Sequence, residues 1–317
     1  MTGDAVCGRY RSPFEREDVR CPVCGRAVAA DATEDVPEAV VEVLRCGGCG
    51  AAVSYDVTAR APRCAFCGSV TRLETPDDPV EQAEEHLPFT VHRQRAEEVF
   101  RDWLGGLGWF RPSDLRSASR LETMRPLMWA GWVFDAEALV SWTADSDAGT
   151  GRADWAPHSG QTEMVFDDIV GSASRGLTDS ETSELMGGYG LETAVTEPPT
   201  EPPDVVIEQF ELPRSSARRQ VRTLIRQLVA ERLKDGHIPG SRFRNLNTSI
   251  LLRRLTTRRV AFPAWVIAYR YGKNLYRFVL SGQDAECLMG EAPVSVTKIV
   301  LAVLGAATAL ALLLKLL

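Results

Sequence analysis

Six of the eight cysteines fall in Cys-x-x-Cys pairs, and their spacing is the strongest chemical signal in the chain. Cys46 and Cys49, then Cys64 and Cys67, form two knuckles, each followed by glycine, with fourteen residues between Cys49 and Cys64. Two tight knuckles brought together by a hairpin present four thiolates in a tetrahedron, the ligand set of a structural zinc ribbon. A redox dithiol needs one such pair at a helix start within a βαβ pattern, and neither pair has that setting. A third knuckle, Cys21 and Cys24, is separated from Cys7 by thirteen residues, and Asp4 stands three before Cys7. Asp4, Cys7, Cys21 and Cys24 have the frame of a second Zn2+ site in which a carboxylate replaces one thiolate. The alternative is a degenerate ribbon that holds no metal.

A four-thiolate site leaves zinc no open position for water, so the first quartet is structural rather than hydrolytic. The histidines, His86, His92, His158 and His237, lie far apart, with no His-Glu-x-x-His frame, and read as surface or capping residues. Asp167 and Asp168 are neighbours, which a strand would point to opposite faces. Cys287 stands alone and reads as a small buried apolar residue. No acid–base or nucleophile constellation emerges, and the expectation is a protein that is not an enzyme.

The elements that must hold these groups follow from composition and periodicity. The chain has 317 residues, is 44% hydrophobic and carries a net charge of -7, enough for one or two modest cores. The first eighteen residues lack the apolar run of a secretory signal, which places the cysteines in a reducing compartment. Helical spacing of Val91, Ala96, Val99, Phe100 and Trp103 predicts an amphipathic helix over 90–103, and alternation over 129–142 predicts strands. Residues 143–160 read as a loop and 195–204, rich in Pro and Glu, as a connector. Laying Trp132 over Trp265 brings Thr123, Arg125, Leu127, Trp129, Val133 and Phe134 onto Thr256, Arg258, Val260, Phe262, Val266 and Ile267. Two related β-rich modules account for that overlay; chance coincidence of aromatic strands is the alternative.

Charge is distributed unevenly. Between Arg214 and Arg259 thirteen Arg or Lys stand against Glu231 and Asp235, a net of +11, so the remainder carries -18. Val221, Leu224, Ile225, Leu228, Val229 and Leu233 predict an amphipathic helix over 217–234 with an arginine-rich outer face. That face suits anionic lipid, nucleic-acid phosphates, or acidic neighbours in this chain or a partner. The uncharged run 299–314 predicts a membrane-spanning helix, with the bulk of the chain on the cytoplasmic side.

These features resemble a group of bacterial membrane zinc-ribbon proteins of the transcription-factor-IIB type, often labelled after the primosomal helicase N-prime. The matching residues are the knuckles from Cys46 to Cys67, Leu87, Pro88 and Phe89, Trp132 to Asp135, Ile238 to Gly240, Phe262 to Trp265, Tyr269 to Tyr271, Ser281 to Gln283 and Gly290 to Pro293. Ala130 and Gly131 depart from that pattern, as does the extra knuckle at Cys21. The resemblance implies a ribbon on a β-rich membrane-proximal body, phage-shock-type protein partners and no enzymatic activity.

The resulting expectation is an α+β chain. A degenerate ribbon-like module spans 1–42, a zinc ribbon 43–73 and an acidic linker 74–86. A first α+β module spans 87–194, the connector 195–204, a basic helix with a second β module 205–293, and a transmembrane helix 296–317. Its expected role is a single-pass adaptor of the bacterial inner membrane that presents zinc modules to protein partners, with lipid contact through its C-terminal helix and basic helix. The second reading is a nucleic-acid-binding membrane protein using the ribbon and residues 214–259.

Overall fold

The computed structural model describes residues 6–9, 11–12, 14, 18, 21–24, 26, 43–46, 52–54, 71–74, 81–148 and 155–316, with backbone alone for 43–46, 52–54, 71–74 and 307–316. In chain order the strands are β1 (Val43–Cys46), β2 (Ala52–Ser54), β3 (Thr71–Glu74), β4 (Glu85–His86), β5 (Arg120–Ser146), β6 (Ala156–Ser172), β7 (Val206–Ile207), β8 (Phe243–Tyr271), β9 (Asn274–Ser281) and β10 (Leu288–Gly290). The helices are α1 (Arg93–Gly106), α2 (Leu115–Ala118), α3 (Asp179–Leu185), α4 (Arg214–Gly236) and α5 (Val296–Leu316). The first three strands make a small antiparallel sheet in the order β2-β1-β3. The other seven form one large sheet, β10-β9-β8-β5-β6, with β4 added beside β8 and β7 beside β5.

β5 and β8 pair with each other along nearly their whole lengths, so the two expected β-rich modules are two halves of a single sheet. Within that pairing Trp129 faces Phe262, the very residues that the sequence overlay equates. A local two-fold axis through that pair relates β4-α1-β5-β6 to β7-α4-β8-β9. Glu85 and His86 run parallel beside Val260 and Ala261, while Val206 and Ile207 run parallel beside Leu127 and Met128. The indole nitrogen of Trp132 donates to the Leu212 carbonyl at 2.8 Å, and that of Trp265 donates to the Val91 carbonyl at 2.8 Å. Each indole also meets a phenylalanine from the segment ahead of a helix, Phe210 at 4.8 Å and Phe89 at 5.4 Å.

Alternation along the strands divides the core. Trp132, Phe134, Ala136, Ala138 and Val140 pack beneath α4, and Trp265, Ile267, Tyr269, Phe278 and Leu280 pack beneath α1. Each helix therefore covers the strands of the other half. Trp129 and Phe262 stack on the opposite face, 4.4 Å apart, with Leu177, Leu185 and Tyr189 over them. Gly131 permits that stack, because a Cβ there would lie 2.6 Å from the Phe262 ring. α4 buries Ala217, Val221, Ile225, Val229 and Leu233 in one row, and its larger members contribute ~1.5–3 kcal/mol each by leaving water.

Several expectations are corrected. α1 sits three residues later than predicted, and the predicted loop 143–160 is strand at both ends, because β5 runs to Ser146 and β6 begins at Ala156. An apolar C-terminal helix forms, but among the described residues no helix is long and apolar enough to cross a membrane. Lys298 Nζ donates to the Arg111 carbonyl at 2.8 Å and tethers the start of the helix to the loop after α1. The transmembrane anchor, the single-pass inner-membrane placement and lipid contact through this helix are withdrawn.

If the two halves are equivalent, Trp132→Phe and Trp265→Phe remove the same indole bond from the same setting. Each should lower unfolding free energy by a matching ~1–3 kcal/mol in urea titrations, since each strands one buried carbonyl.

Candidate metal centre

Three of the four residues proposed for the second site come together. The Sγ atoms of Cys7, Cys21 and Cys24 all lie within 4.8 Å of one another, and Cys7 and Cys24 are 3.7 Å apart. No disulfide joins them, as an S–S bond is ~2.05 Å. Cys7 and Cys21 are each only 2% exposed. Two reversals of the backbone aim the thiols inward. Cys7 N–H donates to the Ser12 carbonyl while its own carbonyl accepts from Arg11, whose φ is 53°, and Cys21 N–H donates to the Arg26 carbonyl. Burial pushes the Cys21 thiol up to about 11, outweighing the backbone amides of Cys24 and Val23 that favour its thiolate. A bound cation reverses that balance.

The cluster is seated on α4. Arg214, Arg218, Arg222 and Arg226 recur every four residues and so form a row one position beyond the buried row. Arg218 Nη1 bonds Asp18 at 2.6 Å, with the two side chains only 12% and 3% exposed. Arg222 donates to the Pro22 carbonyl and, at 3.3 Å, to the Val23 carbonyl, both inside the Cys21–Cys24 knuckle. Val23 itself packs against the hydrophobic cluster under α4. Arg214 reaches Glu81 at 2.8 Å on the segment leading into β4.

The basic region is thereby spoken for. Among the described residues, eight of its thirteen cations pair with carboxylates: Arg214 and Arg259 with Glu81, Arg218 with Asp18, Arg242 with Asp147, Arg244 with Asp145, Arg253 with Glu163, Arg254 with Glu137 and Arg258 with Asp168. The expected lipid contact of the basic helix is not upheld, and the nucleic-acid surface loses most of its free charge. Asp168, predicted to be an idle strand residue, has a φ of 57° beside the β5–β6 bulge and meets Arg258 at 2.6 Å.

Other expected residues are placed differently. Cys46 ends β1 opposite Thr71, while Cys49, Cys64, Cys67 and Asp4 lie outside the described residues. His86, expected at the surface, is 6% exposed, and desolvation lowers its pKa. No histidine joins the three thiols in a metal-binding group among the described residues. Cys287 is half-buried rather than buried.

Sequence reasoning missed the buried carboxylates, Glu208 above all. Glu208 is 1% exposed and accepts from Ser174 Oγ at 2.5 Å and from the amides of Arg175 and Gly176, each at 2.8 Å. Under the local two-fold it stands where the other half has the buried Leu87, and no spacing rule flags such a residue.

No family model, curated protein or solved structure matches the chain. The resemblance to membrane zinc-ribbon proteins of the transcription-factor-IIB type therefore has no support, and the phage-shock-type partners that came with it are withdrawn.

Burial raises Glu208 to about 7 despite the opposing Ser174 hydroxyl and loop amides. A raised carboxylate contributes stability in full below its ordinary 4.5 and loses it as pH climbs through about 7. Between pH 5 and pH 8 the wild type should lose on the order of 3 kcal/mol relative to Glu208→Gln, read as the pH dependence of the urea midpoint. A parallel pair of pH profiles would show that the loop amides, not burial, govern this group.

Proposed function

We propose that this protein is a non-enzymatic, metal-clasped β-sheet scaffold, in which Cys7, Cys21 and Cys24 bind a thiophilic divalent ion, zinc foremost. The clasp holds the N-terminal segment against the arginine row of α4. The observation that carries this reading is the 3.7 Å separation of Cys7 and Cys24 within a compact buried trio of sulfurs. Tetrahedral zinc with ~2.3 Å bonds sets its thiolates ~3.8 Å apart, so the Cys7–Cys24 separation matches one edge of that polyhedron, with Cys21 within 4.8 Å of both. Three thiolates are a soft donor set suited to zinc. Sequence order offers Asp4 as the fourth donor, three residues ahead of Cys7. Zinc, when bound, supplies a cross-link and draws the protons off the thiols.

Cys46, Cys49, Cys64 and Cys67 form the second module in this proposal, on the strength of their spacing. The reading as a non-enzyme is supported by how the notable polar groups are employed. Glu208 caps a loop, and Tyr189 receives the Trp129 indole at 3.1 Å and donates to the Pro263 carbonyl at 2.8 Å. Nothing in the geometry favours the nucleic-acid reading, since carboxylates of the described residues already pair with most of the basic region's arginines.

Zinc per chain should be close to two in the purified wild type and close to one in both Cys24→Ser and Cys64→Ser. Each variant should keep the tryptophan fluorescence of the intact large sheet. Wild-type zinc content in Cys24→Ser overturns the clasp.

A further inference from the structure

A cleft of about 420 Å³ opens beside the Trp129–Phe262 stack, on the face of the large sheet opposite α1 and α4. That volume falls within the ~300–1,000 Å³ typical of small-molecule sites. Val170 of β6, Phe262 of β8 and Met186, Tyr189 and Leu191 of the segment after α3 give it an apolar lining. The Phe262 and Tyr189 rings meet edge to face there, with centroids 5.1 Å apart. Asp168 and Glu192 bring carboxylates to the same cleft, Glu192 from the exposed turn Leu191–Thr193.

The negative charge continues behind Asp168. Glu85, Asp135 and Asp168 share the guanidinium of Arg258, at 3.2, 4.0 and 2.6 Å, so three carboxylates meet one cation where a single carboxylate balances it. The fold itself does not call for this excess. The local two-fold equates Arg258 with Arg125, yet it sets Val206 where Glu85 stands and Ala268 where Asp135 stands. An aromatic and aliphatic cleft with carboxylates at its edge is complementary to a molecule with one cationic head and one apolar body. Ion pairing and the ring faces both attract such a head.

We propose that this cleft binds a small organic cation with an apolar body, of the class of arylalkylamines. The ammonium head lies between Asp168 and Glu192, and the body lies against Phe262, Met186 and Leu191. The apolar lining belongs to the cluster on the sheet face away from α4, so the inference does not rest on the metal reading.

The test is calorimetric titration of the full chain with phenylbutylamine at neutral pH. Phenylbutyrate serves as the control with the same body and the opposite charge, and methylamine as the control for the head alone. The amine should bind at one site per chain, and both controls should bind at least tenfold more weakly. Glu192 is exposed, so Glu192→Lys should keep the wild-type tryptophan fluorescence while weakening the amine at least tenfold. Asp168 holds a φ of 57°, which asparagine tolerates, and Asp168→Asn should weaken the amine as well. Absence of amine binding, unchanged affinity in either variant, equal affinity for phenylbutyrate, or tighter binding of a tetralysine peptide than of the amine overturns the proposal.

Discussion

Everything else in the molecule hangs on the pairing of β5 with β8 about Trp129 and Phe262. Two strands of 27 and 29 residues laid antiparallel give one continuous ladder. With β5 and β8 side by side, their hairpin partners fall on opposite sides of the pair, β6 beside β5 and β9 beside β8. The helices then have one place to go. α1 covers β8 and β9 and α4 covers β5 and β6, each the strands of the other half, so neither half can bury its own face without the other. The tryptophan bonds to the Leu212 and Val91 carbonyls fix the segments ahead of the helices in matching positions.

The two halves are nevertheless not interchangeable, and the differences carry the chemistry. α4 has 23 residues where α1 has 14. The part of α4 that corresponds to α1 carries the arginine row that receives Asp18 and the Cys21–Cys24 knuckle, while α1 spends its exposed arginines on its own glutamates, as Arg101 does with Glu97. A buried ion pair such as Arg218–Asp18 contributes little net stability, because both charges lose water. It does specify where the N-terminal segment sits, since either partner left alone is costly. Thiols and arginines separated by some two hundred residues thus become one local structure.

Much of this was legible in the sequence. The Trp132 and Trp265 overlay marks equivalent strands because aromatic side chains over a helix leave a recognisable pattern, and the apolar spacing over 217–234 falls within α4. The repeat could not reveal that the copies pair with each other, since register depends on contacts between distant segments. The strand ends beyond Trp142 were read as loop because Asp, Gly and Ser dominate there, although pairing with β8 overrides local preference. The basic stretch looked like a surface for phosphate or lipid because its carboxylate partners lie up to two hundred residues away. An apolar C-terminal run suggested a bilayer, whereas among the described residues no helix is long and apolar enough to cross one. Cysteine spacing, by contrast, pointed to Cys7, Cys21 and Cys24, whose sulfurs lie close enough to hold a metal ion, because knuckle geometry is local.

Hydrogen exchange along α4, with zinc bound and after chelation, tests the central claim that the three thiols and their metal clasp the N-terminal segment to that helix. The account predicts that chelation speeds exchange around Arg218 and Arg222 and in the Cys21–Cys24 knuckle, while the amides near Trp129 and Phe262 keep their protection. Identical exchange in both states would contradict the clasp, and loss of protection throughout the large sheet would show that the metal supports the whole fold instead.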